Sequence, residues 1–274
     1  MDLSSESDRV RNAVHQNMTN VLDLDDYNLD EALRLVAIFG SDRFGYIVTP
    51  NVDHVIRHYQ DRQFRELYAQ ATYVLLDSRF LANTVGLVKR QVLRVCLGSD
   101  LTSAVLDKVI KPLDVMVLVG GTAEQASILR QRYGLSSLHH IDPPMNFIRD
   151  PLAVEALLRE IEAIGTFRFC FLALGSPQQE IIAQKLKERG KARGLALCIG
   201  AAINFLTGIE QRAPVWMQQR GLEWLYRLSK NPRRLWTRYL VRGPRIFLLI
   251  WRIQLRVRQS VTVTELASIT GPAF

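Results

Sequence analysis

The chain is poor in the residues that mark several common chemistries. Among its 274 residues are only three cysteines and five histidines. Cys96, Cys170 and Cys198 stand far apart in apolar runs such as FRFCFLALG, with no CxxC pair and no metal-ligand spacing, so they read as buried thiols of a reducing compartment. His54 and His58 lie four residues apart, but without a third ligand or an HExxH context they do not make a metal site. The dinucleotide fingerprint, the P-loop and the nucleophile elbow are missing, which argues against a nicotinamide-dependent dehydrogenase, an NTPase and a serine hydrolase. No stretch approaches the roughly 20 apolar residues that span a bilayer. The polar start MDLSSESDRV is not a signal peptide. Internal repeats and low-complexity linkers are also lacking. The expectation is a cytoplasmic protein, neither secreted nor integral.

What is present is a large apolar inventory, 48% of the residues, enough for one sizeable domain and an additional element. Short runs rich in Val, Ile, Leu and Phe (FGYIVT, TYVLLD, LDVMVLVGG, RFCFLALG, LALCIGA) alternate with stretches of helical period such as VDHVIRHYQDRQFRELYAQA and DPLAVEALLREIEAIG. Strands buried on both faces, joined by crossover helices, have this pattern. It predicts an α/β architecture with a mostly parallel sheet, whose ligand sites lie at the carboxyl edge of the strands. After Gly208 the strand pattern stops, and the remainder reads as helices broken at Asn231-Pro232 and Gly243-Pro244. Two units are therefore expected, a sheet-bearing body over 1–208 and a helical appendage over 209–274.

Charge divides along the same line. From Arg212 to Arg258 there are eleven Arg and Lys230 against Glu223 alone, a net +11 in a chain of net +8, which leaves the remainder at −3. A slightly acidic body with a strongly basic tail implies an anionic partner: a phosphate, a membrane or a nucleic acid. Within the tail, GPRIFLLIWRIQLRVR threads arginines through bulky apolar residues. It reads as a surface-lying helix, with Phe247, Leu248, Ile250 and Trp251 in the headgroup boundary and Arg245, Arg252, Arg256 and Arg258 on lipid phosphates. The competing reading packs the apolar face on the body. A rival function, a non-enzymatic nucleic-acid-binding module, rests on the aromatics Trp216, Trp224, Tyr226, Trp236 and Tyr239 among the arginines. Their helical spacing beside leucines favours packing instead.

Chemistry-bearing residues fall at the strand ends. Asp77, closing YVLLD, would stand partly desolvated at the sheet edge, either as a general base or as the cap of the helix near Arg79. Asp100 in GSDLTS reads as a helix cap. Thr49 and Asn51 in VTPNVDHV suit capping or a ligand. Gly120 and Gly121 close a strand before Thr122 and could turn backbone N–H groups toward a phosphate. Gln178, Gln179 and Glu180 follow the Gly175-Ser176-Pro177 turn, where amides suit sugar hydroxyls or a uracil edge.

Taken in order, TPN (49–51), LLDSRFL (75–81), LGSDLT (97–102), VGGTAEQA (119–126), LGSPQQE (174–180), IGAAINFLTG (199–208) and RAPVWMQQRGLEWLYRLSKNPRRLWTRYL (212–240) resemble the WecG/TagA/CpsF family of bacterial glycosyltransferases over roughly 45–240. The resemblance implies a Rossmann-like fold with a basic helical appendage that docks on the membrane and completes the site. It implies inverting transfer of N-acetylmannosamine, its uronic acid or a related hexose from a UDP-sugar to a polyprenyl-diphosphate-linked saccharide, without a metal cofactor. Carried over by motif, the catalytic aspartate is Asp77, the donor-pocket residues are Thr49, Asn51 and Gln179, and a donor-site arginine is Arg94. Arginines that neutralise the diphosphate fall among Arg220, Arg227, Arg233 and Arg234. Two departures stand out: Asp77-Ser78-Arg79 where many members have Asp-Gly, and Asn204-Phe205 where many have Asp-Phe.

Overall fold

The apolar runs become parallel strands in the computed structural model, which describes residues 21–236 and 244–258, without the side chains of 234 and 235. The strands are β1 (Val21–Asp25), β2 (Phe44–Val48), β3 (Tyr73–Val74), β4 (Met116–Val119), β5 (Leu138–Ile141), β6 (Thr166–Leu172), β7 (Arg193–Cys198) and β8 (Gln254–Arg258). Six of them form one sheet in the order β3-β2-β7-β6-β4-β5, every neighbouring pair parallel. Tyr46, Ala196, Cys170 and Val117 stand opposite one another across four strands. The next row, Ile47, Leu197, Phe171 and Leu118, points to the other face. All eight are buried, because each face of the sheet carries its own hydrophobic cluster. This accounts for the continuous rather than alternating apolar runs.

The first face is covered by α2 (Val52–Gln60), α3 (Arg62–Ala69), α4 (Arg79–Lys89), α7 (Pro151–Ala163) and α8 (Gln178–Arg189), through Val55, Phe64, Leu81, Leu157 and Ile182. The second is covered by α1 (Leu29–Ile38), α5 (Gly98–Lys108), α6 (Ala123–Tyr133) and α9 (Ala202–Leu206), through Leu35, Leu101, Leu129 and Ile203. A mostly parallel sheet with helices on both faces is the expected Rossmann-like α/β class. The chain leaves β4 toward β5 and leaves β6 toward β7, in opposite directions, so a crevice opens at the carboxyl ends between β4 and β6. Cys96, Cys170 and Cys198 are buried, and burial pushes the Cys96 thiol up to about 12.

The basic tail departs from its expected form. Beyond the body, the described residues include the helices α10 (Val215–Gln219), α11 (Glu223–Lys230), α12 (Pro232–Trp236) and α13 (Arg245–Leu249). The chain then turns into strand β8, which pairs in parallel with β1, Val21 opposite Gln254 through Asp25 opposite Arg258. The segment expected as a single surface helix is thus one helical turn followed by a strand. Ile246, Ile250 and Ile253 are buried in the core of the first face. Arg256 donates to Asp23 at 2.7 Å, and Arg258 lies 3.4 Å from Asp23 and 3.7 Å from Asp25. Ile250, Arg256 and Arg258 are therefore withdrawn from the expected lipid-facing set. Phe247, Leu248 and Trp251 remain 54%, 78% and 71% exposed, beside exposed Arg245 and Arg252. The division at 208/209 is also too simple, since β8 belongs to the body's edge. A strand of alternating Gln254, Leu255, Arg256, Val257 and Arg258 has period two, and the acidic β1 supplies the partner its arginines need.

Candidate active site

Asp77 stands where the polypeptide runs past the end of β3 while still bonded to its neighbours. Leu75 donates its N–H to the Val48 carbonyl, Asp77 to that of Pro50, and Cys96 to that of Leu76. These bonds hold Asp77 at the carboxyl edge of the sheet. The capping role falls to the next residue: the Ser78 hydroxyl accepts from the Leu81 N–H at 3.1 Å. Asp77 is thereby released from capping, and its carboxylate accepts instead from the Gly98 N–H. Burial pushes its pKa up to about 7, against the opposing effects of the nearby Arg227 guanidinium and the Gly98 bond, with Glu223 and Asp100 adding to the rise.

Above Asp77 lies a cavity of about 320 Å³ between the sheet edge and the appendage. Asn51, Val52, Asp53, Asp77, Ser78 and Leu97 form its floor, and Gln218, Gly221, Glu223, Trp224, Arg227 and Phe247 its roof. The size suits a sugar and its immediate contacts. Asn51 reaches this cavity while capping α2, its side chain accepting from the Asp53 N–H at 3.1 Å. His54 Nδ1 accepts from the Asn51 N–H at 3.3 Å. Among the described residues no group of three or more His, Cys, Asp or Glu has a metal-binding arrangement.

The other residues carried over by motif are placed less directly. Thr49 lies behind the cavity against Gly98: a Cβ on Gly98 would come within 2.6 Å of the Thr49 hydroxyl, so only glycine fits there. Gln179 is buried, and its side-chain oxygen accepts from the Gly200 N–H at 2.9 Å, tying the loop after β7 to the start of α8. Gly120 and Gly121 have φ of +82° and +74°, at the crevice between β4 and β6. The Gly120 N–H already donates to the Ile141 carbonyl at 2.8 Å, so that amide is committed to the sheet and is not a phosphate ligand. Arg94 bonds Glu31 at 2.7 Å and lies 3.6 Å from Asp26, beside the start of α1 and outside the cavity lining. Its location leads to a sharp expectation: Arg94→Ala leaves ligand affinity at the cavity unchanged, measured by titration calorimetry, because a largely exposed pair of this kind contributes little beyond local tethering.

Of the appendage arginines, Arg227 lines the cavity, with its guanidinium 5.1 Å from the centre of the Phe205 ring. Arg220 is exposed beside Trp216, and Arg233 is exposed on α12. The side chain of Arg234 lies outside the described residues. Sequence reasoning missed Arg212, which pairs with Asp100 and Ser99 at the start of α5 and flanks the same Phe205 ring at 5.9 Å. Asp100 is therefore an ion-pair partner in the first turn and not the expected cap. The amide at Asn204 also has a local reason: it accepts from Gln125 at 2.9 Å and donates to Glu210 at 3.1 Å. A carboxylate could not make the second bond.

Of the motif residues, Asn51, Asp77 and Arg227 thus meet in one cavity, with a carboxylate of raised pKa facing an arginine from the appendage, while Thr49, Arg94, Gly120, Gly121 and Gln179 lie outside its lining. The model of the glycosyl transferase WecG/TagA/CpsF family matches residues 18–260. The chain belongs to this family. It is accordingly an enzyme that transfers sugar in cell-envelope polymer biosynthesis. Membership accounts for the site better than the nucleic-acid-binding alternative, since Trp224 and Arg227 face the cavity rather than an open basic track.

Proposed function

We propose that the chain is an inverting, UDP-sugar-dependent hexosyltransferase. Its donor carries a hexose or hexosamine, with N-acetylmannosamine, its uronic acid and related sugars as the class, and its acceptor is a polyprenyl-diphosphate-linked saccharide. The observation that carries this reading is Asp77, a carboxylate whose pKa is pushed up to about 7 on the floor of a sugar-sized cavity. A carboxylate tuned to that range takes a proton from an acceptor hydroxyl far better than one near 4. The deprotonating oxygen forms its bond to the anomeric carbon as the bond to the β-phosphate oxygen breaks on the opposite face. UDP departs with the bonding pair, and the Arg227 guanidinium near Asp77 favours the ionised carboxylate that accepts the proton.

Sheet geometry supports the donor class. The crevice beside β4 lies three strand spacings from β2, about 14 Å, a span suited to a nucleotide at one end and its sugar at the other. Exposed Phe247, Leu248 and Trp251 beside Arg245 and Arg252 support an anionic membrane surface as the place of work, the cytoplasmic face of the plasma membrane, where a polyprenyl acceptor resides. No helix among the described residues is long and apolar enough to cross a membrane. The reaction as written requires no metal or other cofactor.

The test is a panel of UDP-sugars offered with a short-chain prenyl-diphosphate sugar and followed by mass spectrometry. The expected outcome is UDP release and a product one sugar heavier, only when both substrates are present. Turnover with another nucleotide-activated sugar, and none with any UDP-sugar, overturns the donor class.

A further inference from the structure

Arg79 follows the catalytic strand by two residues and takes no part in the chemistry above, yet it connects floor to roof. Its guanidinium donates to the Glu223 carboxylate and to the Gln218 carbonyl, each at 3.4 Å. All three residues line the cavity. Arg79 is also the first residue of α4, where a positive side chain faces the positive end of the helix dipole. A cation at that position is unfavourable for the helix, and the roof supplies the anion that offsets it.

Two neighbouring contacts show how closely the roof sits. Gly221 has φ +71°, and a Cβ there would lie 3.2 Å from the Phe80 nitrogen and 3.4 Å from its Cα, so the turn between α10 and α11 rests on the first turn of α4 backbone to backbone. Phe80 meets Phe247 edge to face at 6.0 Å. Both contacts are neutral and local to one edge. The Arg79 bridge, by contrast, joins a charge following Asp77 to the helix that carries Trp224 and Arg227.

We propose that Arg79 is a positioning residue whose bridge to Glu223 and Gln218 latches the helical roof onto the strand end that carries Asp77, holding Arg227 over the reacting atoms. The inference rests on the glycosyltransferase reading for its kinetic test but not for its structural one. The groups facing Asp77 from the packed elements are Arg227 and Glu223 from α11, the Gly98 N–H and Asp100 from α5. When the latch opens, water reaches Asp77 and relieves the burial that holds its pKa up.

The experiment compares Arg79→Ala, Glu223→Ala and the exchanged pair Arg79→Glu/Glu223→Arg in the full chain. Each single variant is expected to lose about 10- to 100-fold in kcat, as a loosened catalytic group does, with donor KM little changed. The acid limb of its pH–rate profile moves to lower pH, and hydrogen exchange over 215–230 accelerates. The exchanged pair should recover at least about tenfold in kcat and slow that exchange again. Arg79→Gln serves if Arg79→Ala does not fold. The proposal is overturned if the single variants turn over within about threefold of the parent chain, if exchange over 215–230 is unchanged, or if the exchanged pair is no better than the worse single variant. A loss confined to donor KM also overturns it, since Arg79 would then contact the donor directly. If the parent chain uses no UDP-sugar, the donor reading fails, while the exchange measurement still decides the latch.

Discussion

Asp77→Asn is expected to abolish most turnover and to make the protein more stable above neutral pH. Loss of the general base costs about 100- to 10,000-fold in kcat, while UDP binding persists because the cavity keeps its shape. The stability gain follows from proton linkage. The folded-state pKa of Asp77 is raised from 3.8 to about 7. Between these values the unfolded chain is ionised at this residue and the folded chain is protonated, so stability falls as pH rises through the interval and levels off above about 7. Asparagine retains an acceptor for the Gly98 N–H and carries no charge at any pH. The variant should match the parent below about pH 4 and exceed it by up to about 4 kcal/mol at pH 8, given 1.36 kcal/mol per pKa unit. Thermal melting at pH 4, 6 and 8 measures the difference. A constant difference across pH, or turnover within a few-fold of the parent, removes Asp77 from the base role. The parent's kcat/KM should rise with pH along an acid limb centred near 7, since the ionised form is the active one.

Removing residues 241–274 is expected to unfold the protein, not simply to release it from membranes. The deletion takes Ile246, Ile250 and Ile253 out of the core, exposes the edge of β1 and leaves Asp23 without its two arginines. Three buried isoleucines at about 1.5–3 kcal/mol each amount to roughly 5–9 kcal/mol, comparable to the entire net stability of a domain. Membrane association therefore has to be tested with substitutions that spare this core. Leu248→Ser with Trp251→Ser should leave the melting temperature within a few degrees of the parent while reducing co-sedimentation with anionic vesicles about tenfold or more. Ile250→Ala should do the reverse, losing about 2–5 kcal/mol of stability while the folded fraction still binds vesicles. Equal vesicle binding by the Leu248/Trp251 variant and the parent removes this patch from membrane docking.

The sheet and its flanking helices were legible because strands covered on both faces need long apolar runs, and FGYIVT, LDVMVLV and LALCIGA are such runs. Asp77 was legible for a related reason: an acid directly after a buried strand lies at a sheet edge whatever the rest of the chain does. Whether it was base or cap could not be read locally. The cap falls to Ser78, and an appendage 150 residues away in sequence covers the carboxylate, which is the setting on which the proposed base role rests. The tail shows the same limit. Arginines among apolar residues fit a lipid surface equally well, until β1 supplies Asp23 and Asp25 across a parallel ladder and turns the last five residues of the segment into a strand. Arg94 and Gln179 illustrate it at single positions, since each matches a motif while its side chain is held by Glu31 or by Gly200. Sequence alone determined what each segment must bury and where the acids and glycines fall along the strands, because those are short-range consequences of periodicity. Only the tertiary structure decided which charges meet, because ion pairs such as Arg79–Glu223 and Arg256–Asp23 join residues whose separation along the chain bears no relation to their distance in space.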